Sequence, residues 1–233
     1  MGVSKTDFTR GLQCNKMLWL DAHMPQEKII PPEVQARLDA GNEFGDIAMG
    51  IFGEYKETTT LKEDGRLNYA AMLEKTQAWL QAGEAVVCEG AFTWYGNYCA
   101  TDILKQDGMG YALYEVKNTY AVRKEFLLDL GFQSFILRKC GITPTKSCLI
   151  LRGDTPEGVE APTEGEIIQK DGTMYRIIDV TDAAKQMERI ADKHIFPLGK
   201  LKKKDAEMPN ICMGEHCEKP YRCWYYEYCS KNG

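Results

Sequence analysis

At 233 residues, with 44% hydrophobic and 27% charged residues, the chain has the size and composition of one large globular domain, which excludes disordered and collagen-like architectures. The balance of 29 Lys+Arg against 34 Asp+Glu, net −5, excludes a uniform basic coat for nucleic acid but leaves room for a local basic groove. No apolar run reaches the ~18–20 residues of a membrane span, and the opening MGVSKTDFTR lacks a signal-peptide apolar block, so a cytoplasmic protein with no membrane association is expected.

Ser4-Lys5-Thr6-Asp7 opens a capped helix expected over roughly 5–21. A second helix begins at Pro32-Glu33, with Val34, Leu38, Gly41, Gly45, Ala48 and Phe52 as its apolar stripe and the two glycines permitting close backbone approach. A third runs from Leu67 to the stop signal Gly83. The period then changes to that of strands: 85–92, 98–105 and 111–117 are short apolar segments parted by turn residues, an antiparallel meander. Val122–Lys139 is again helical and stops at Gly141. Ser147–Arg152 and Met174–Val180 are two further strands, and Thr181-Asp182 starts a last long helix to about Ile195. Lys200–Lys204 and Pro209 read as a linker into a cysteine-rich tail. The order predicts an α/β fold: one core built on a mixed sheet flanked by helices.

Nine cysteines are an odd number, and a cytosolic chain does not use them as structural disulfides. Four of them, Cys212, Cys217, Cys223 and Cys229, lie in the last 22 residues. By spacing alone two ligand sets stand side by side: three thiolates at 217, 223 and 229 joined by a distant fourth for a [4Fe–4S] cube, or a zinc site drawn from Cys212, His216, Cys217, Cys223 and Cys229. Cys88, Cys99, Cys140 and Cys148 read as small core residues.

The chemistry-bearing segment is the meander. On a strand, Glu115 and Lys117 share a face, and Asp102 on the preceding strand can face the same spot. Two neighbouring carboxylates repel unless a cation relieves them, and oxygen ligands suit Mg²⁺ or Mn²⁺, with the Val116 carbonyl as a further donor. Lys117 would then orient and deprotonate a water for attack on a phosphate. Gln133 stands on the apolar face of its helix with Phe126, Leu130 and Leu137, so it needs a polar partner. Glu89 on the first strand is a weaker candidate for the same site. Near the end of the chain, 200–233 carries 7 Lys+Arg against 5 Asp+Glu, a net of +2, and its basic run precedes Tyr221, Trp224, Tyr225, Tyr226 and Tyr228; this makes a candidate surface for single-stranded nucleic acid, with a solvated linker and cluster-shielding aromatics as the plainer reading.

Asp102, Glu115-Val116-Lys117 and Gln133, in an α-βββ-α-β order, resemble the PD-(D/E)XK nucleases of the RecB type. Cys14 with the C-terminal cysteines narrows the resemblance to the iron–sulfur members, the CRISPR-associated RecB-like exonucleases and their uncharacterised relatives. The resemblance spans nearly the whole chain. It implies a restriction-endonuclease-like core at 85–199, an N-terminal helical part at 1–84 contributing one cluster cysteine, and an iron–sulfur segment at 205–233. It also implies Asp102 and Glu115 as metal ligands, Lys117 as the catalytic lysine, Gln133 as a substrate- or water-positioning residue, and Cys14, Cys217, Cys223 and Cys229 as [4Fe–4S] ligands. The chain departs from the pattern in four places: Gly45 stands about where a metal-binding histidine is usual, Leu137 where a tyrosine is, Asn15 where a proline is, and a glycine common shortly before the aspartate is missing; Glu43 and Asp46 lie near the first but project off the apolar stripe.

The function implied is a Mg²⁺- or Mn²⁺-dependent deoxyribonuclease, an exonuclease on single-stranded or free DNA ends, with CRISPR spacer acquisition and its adaptation proteins as the biological setting that the resemblance suggests. The readings from other classes are a non-catalytic DNA-binding or adapter module on the same fold, and a zinc-stabilised scaffold.

Overall fold

The computed structural model describes residues 2–232. The expected first helix is two helices: α1 (Lys5–Gln13) and α2 (Asn15–His23) are broken at Cys14, which is extended at φ −158°. Then come α3 (Pro32–Ala48), a short β1 (Lys56–Glu57), α4 (Tyr69–Ala82), the meander β2 (Val86–Trp94), β3 (Asn97–Asp107) and β4 (Gly110–Val116), and α5 (Lys124–Lys139). β5 (Ser147–Arg152), β6 (Glu166–Lys170), β7 (Thr173–Asp179), α6 (Thr181–Leu201) and α7 (Tyr226–Asn232) complete the chain. Gly83 and Gly141 end α4 and α5 at φ +72° and +87°, a region open to glycine at no steric cost.

The seven strands form one mixed sheet in the order β1-β2-β3-β4-β5-β7-β6, with β1 parallel to β2 and β4 parallel to β5. Besides α7, two strands are additions to the expected set. β6 is an edge strand whose apolar residues are half-exposed, and β1 is only two residues long, so neither carries a burial period. Three further expectations are corrected. α6 runs through Pro197 to Leu201 instead of ending near Ile195, so the start of the basic run is helix and not linker. A Cβ on Gly41 or Gly45 would meet nothing within 4 Å, so the two glycines mediate no close approach; the buried positions of α3 are Phe44 and Ala48. Cys140 is exposed, whereas Cys88, Cys99 and Cys148 are buried as expected.

The sheet separates two cores. On one face Leu18, Leu104, Leu113, Phe132, Leu149 and Ile195 pack beneath α1, α2, α5 and α6. On the other, Phe44, Met49, Ile103, Tyr114, Ile150 and Tyr175 pack beneath α3. Strict alternation would put residues five apart on opposite faces, yet Val87 and Phe92 share a face, as do Cys99 and Leu104. The alternation slips once in each strand, around the facing pair Glu89 and Asp102. In β2 the slip is visible at Glu89, which has φ +53°. A left-handed non-glycine residue costs of order 1–3 kcal/mol and persists only when its surroundings hold it. Here the hold is Thr58, fully buried just after β1: its hydroxyl donates to the Glu89 carbonyl and its amide donates to Cys88 O at 3.1 Å.

Candidate functional site

The register of the meander lines up three carboxylates. Cys88 faces Ile103 and Gly90 faces Thr101, which sets Glu89 opposite Asp102; Ile103 faces Tyr114, which sets Asp102 opposite Glu115. Glu89, Asp102 and Glu115 therefore form one row across three adjacent strands. The Val116 amide donates to Asp102 Oδ2 at 2.7 Å and ties the end of β4 to β3, so the engaged group of Val116 is its N–H.

Helix α5 packs its polar side chains against this row. Asp129 and Gln133 are four apart and so share a face. Gln133 is completely buried, and its Nε2 donates to Glu115 Oε2 at 2.6 Å and to Asp129 O at 3.3 Å, while its Oε1 has no partner. This is the polar partner that its place on an apolar stripe demanded. Lys117 Nζ lies 2.7 Å from Glu115 Oε1 and donates to Asp129 Oδ2 at 2.8 Å.

Lys5 reaches the same group from the N-terminus. The chain before it runs beside β3, with the Val3 amide donating to Asn97 Oδ1 at 2.9 Å and the Tyr98 amide donating to Val3 O at 3.0 Å. Ser4 and Asp7 cap each other reciprocally. The Lys5 ammonium then donates to Glu115 Oε1 and Oε2 at 2.9 and 3.1 Å and lies 3.6 Å from Asp102 Oδ1.

The charges shift accordingly. Burial pushes the Glu115 carboxyl up, but the Lys117 and Lys5 ammonium groups outweigh it and hold it at about 2. Burial and the neighbouring Glu115 raise Asp102, and burial raises Asp129 against the pull of Lys117. Burial lowers both lysines, but the carboxylates around them win and both stay charged well beyond neutral pH. Burial and Asp102 push Glu89 up to about 7. In this arrangement Lys117 is held charged by Asp129 and Glu115 and stands as a donor to both.

The row lies in a cleft of about 980 Å³, large for a small-molecule site. Its walls are α1, α3, the start of α5 and the C-terminal segment, which contributes Pro220, Tyr221, Arg222 and Trp224. Arg10 (paired with Asp21), Arg37, Arg123, Lys124 and Arg222 line it too, against Asp46 and Glu125, so around the row its rim is basic on balance although the whole chain is acidic. Gly45 and Asp46 of α3 face the same cleft. Of the tail aromatics proposed for nucleic-acid contact, Tyr221 and Trp224 line the cleft; Tyr225 is buried with its hydroxyl donating to Asp21 Oδ1 at 2.8 Å. The basic run is not a free surface throughout, since Lys202 pairs with Asp7.

Cys14, Cys212, Cys217, Cys223 and Cys229 gather, with His216, around a second cavity of about 10 Å³, room for about one water. Cys14 enters it because the α1–α2 break turns the chain there. Burial pushes the Cys223 thiol up to about 11 against the hydrogen bond that it accepts from the Tyr225 amide, and burial raises Cys229 as well. Lys16, itself buried, lines the same cavity. The termini are joined by other bonds besides: Gln13 Nε2 donates to His216 O at 2.8 Å and Tyr221 O at 2.7 Å, and the Arg10 guanidinium stacks 3.9 Å from the Trp224 ring centre.

Among the described residues no three His, Cys, Asp or Glu side chains stand in an arrangement that would ligate one metal ion. At the carboxylate row the donor set nonetheless suits a hard cation, because two ammonium groups face three carboxylates besides Glu89, and the Lys5 ammonium marks a spot shared by Asp102 and Glu115. In the cysteine cavity the donors suit a soft metal or an iron–sulfur centre. The structure brings together Asp102, Glu115, Lys117 and Gln133, the residues singled out in the sequence, and adds Lys5 and Asp129 to the group. The spacing of Asp129 four before Gln133 could have revealed it; nothing local reveals Lys5.

The chain matches no protein-family model, and no curated protein is significantly similar to it. No helix among the described residues is long and apolar enough to cross a membrane.

Proposed function

We propose that the chain is a metal-dependent deoxyribonuclease with a restriction-endonuclease-like core, acting on single-stranded DNA ends. The observation that carries this reading is the row Glu89, Asp102 and Glu115 with Lys117 beside it, in a cleft whose rim is basic. Acidic groups at the floor and cations at the rim suit a phosphodiester, whose backbone the rim attracts. Asp102 and Glu115 would hold Mg²⁺ or Mn²⁺, which stabilises charge on a phosphate and acidifies water.

The chain's own residues supply the rest. Lys117, kept protonated by Asp129 and Glu115, donates to the attacking water or to a phosphate oxygen. Gln133 fixes the Glu115 carboxylate by its 2.6 Å bond. Glu89, the third carboxylate of the row, would accept the proton. Tyr221, at the cleft mouth, offers a ring for a base to stack on. In the tail, Cys14, Cys217, Cys223 and Cys229 would hold a [4Fe–4S] centre, and the loop they frame carries Tyr221 and Arg222 into the cleft.

End-labelled single-stranded DNA incubated with Mn²⁺ tests the reading. Wild type should shorten the label, and both Lys117→Ala and EDTA should stop it; equal degradation by wild type and Lys117→Ala would assign the activity to a contaminant and overturn the proposal. The alternative, a DNA-binding module without chemistry, is favoured by one observation: Lys5 and Lys117 already neutralise Glu115. It predicts binding of the same DNA with no cleavage at any Mn²⁺ concentration.

A further inference from the structure

Lys5 has no part in the chemistry described so far, yet its ammonium contacts both Glu115 and Asp102 in the cleft. It touches both oxygens of Glu115 and, at 3.6 Å, Asp102. Lys117 does not substitute for it, because Lys117 divides its contacts between Glu115 and Asp129; among the described residues Lys5 alone pairs with Asp102. Two carboxylates facing each other on adjacent strands, one of them nearly fully buried, repel strongly unless a positive charge sits between them.

We propose that Lys5 is a tethered stand-in for the divalent cation: it holds the Asp102–Glu115 pair together while no ion is bound, swings out when one arrives, and so sets the metal concentration that the site requires. This rests on the reading of Asp102 and Glu115 as a cation site. The oxygens that the ammonium occupies are those an ion bridging the pair would need, so the two exclude each other by volume and by charge. The movement is confined to a side chain. The backbone of Lys5 is fixed by the Ser4–Asp7 capping box, by the bridge of Ser4 to Tyr98 and by the Lys202–Asp7 ion pair. The side chain itself is about one-quarter exposed, on the wall of the large cleft. A competitor built into the chain lowers apparent affinity by the fraction of molecules in which it occupies the site.

Lys5 is thus a positioning residue, and metal affinity reports on it more directly than activity does. Mn²⁺ binding to the full chain, followed by the electron paramagnetic resonance signal of the free ion, should be compared in wild type, Lys5→Met, Lys5→Gln, Lys5→Arg and Asp102→Asn. Lys5→Met should bind Mn²⁺ more tightly by about tenfold, as expected when a competing charge leaves the site. Lys5→Gln should move the same way and guards against a folding failure of the methionine variant. Lys5→Arg, which keeps the charge, should stay within about twofold of wild type, and Asp102→Asn should abolish binding. If Asp102→Asn abolishes binding but Lys5→Met and Lys5→Gln leave it unchanged or weaker, the stand-in role is overturned and the cation site survives. If none of the proteins binds Mn²⁺, both readings fall together.

Discussion

The carboxylate cleft and the cysteine cavity each gather groups that can ligate a metal, but they are built on different frames. In the cleft, Asp102 and Glu115 sit on adjacent paired strands, and Lys5, Lys117, Asp129 and Gln133 close a network around Glu115. The thiols instead come from a helix break, a single 3₁₀ turn, a loop and a seven-residue helix. A sheet holds its side chains in place with or without a ligand. A loop region that ligates a metal gains order from what it binds, because the binding energy of such a centre is folding energy. The first region is therefore expected to keep its shape and lose chemistry when altered, and the second to lose shape.

The largest effect that would sharpen the contrast is on the rate. Lys117→Ala removes the charged donor but leaves the strands paired, so cleavage should fall about 10²–10⁴-fold, in the range of a lost donor or acid–base group. The far-ultraviolet circular dichroism of the variant should match wild type. A collapse of the fold would show instead that the network is a structural brace.

Cys14→Ala should act in the opposite sense. If the four thiols share one centre, loss of Cys14 should remove the bound iron or zinc measured by elemental analysis and destabilise the protein by about 2–4 kcal/mol in urea, since the binding energy of a structural centre is folding energy. If Cys14 is only a half-buried small residue, the cost should be about 1 kcal/mol or less and the metal content unchanged. The hydrogen bonds from Gln13 and the Tyr225–Asp21 pair join the termini in either case, so the fold itself should survive.

What was legible beforehand divides along the same line. Short apolar runs parted by turn residues identified β2, β3, β4 and β5, because the sheet is covered on both faces and most of their residues are buried, and helical period identified α4 and α5. Gln133 was legible as a polar residue on an apolar stripe. Lys5 was not, because its partner lies 110 residues away and its neighbours signal only a helix start. The break at Cys14 was hidden for a similar reason: apolar residues continue helical spacing across it, and only contact with the tail requires the turn. Asp102 could be paired with Glu115 by counting strands, but the slip in alternation that turns Glu89 and Asp102 together depends on Thr58 holding Glu89 at a positive φ.

Acid and base should separate two members of the same row. Glu115 is held at about 2 in the fold against an ordinary 4.5, so its contribution is complete above about 4.5 and is lost as pH falls towards 2. Glu89 is raised to about 7, so the fold keeps its proton where the unfolded chain has released it; its contribution is complete below about 4.5 and is lost as pH rises through 7. Glu89→Gln removes that loss. Relative to wild type it should therefore stabilise the protein by about 1–3 kcal/mol at pH 8 and by nearly nothing at pH 4.5, as read from urea midpoints. In the cleavage assay it should also erase the ionisation near 7 from the pH–rate profile. Equal stability of the two proteins at pH 8 would mean that Glu89 is solvated and lies outside the network.

The smallest expected effect probes the cleft wall that lacks a brace. Gly41 lies inside α3 with helical backbone, and a Cβ there would meet no atom within 4 Å. Its glycine is not required by close packing against another element of the chain, so the helix bears the entropic cost of glycine with no packing return. Gly41→Ala should stabilise the protein by about 0.5–1 kcal/mol, the usual difference between the two residues in a helix interior. Because Gly41 lines the cleft opposite the carboxylate row, the added methyl group enters the space that a DNA strand would cross. A variant that gains stability and loses DNA affinity would place the strand against α3. One that gains stability with affinity unchanged would move the strand to the Tyr221–Arg222 side.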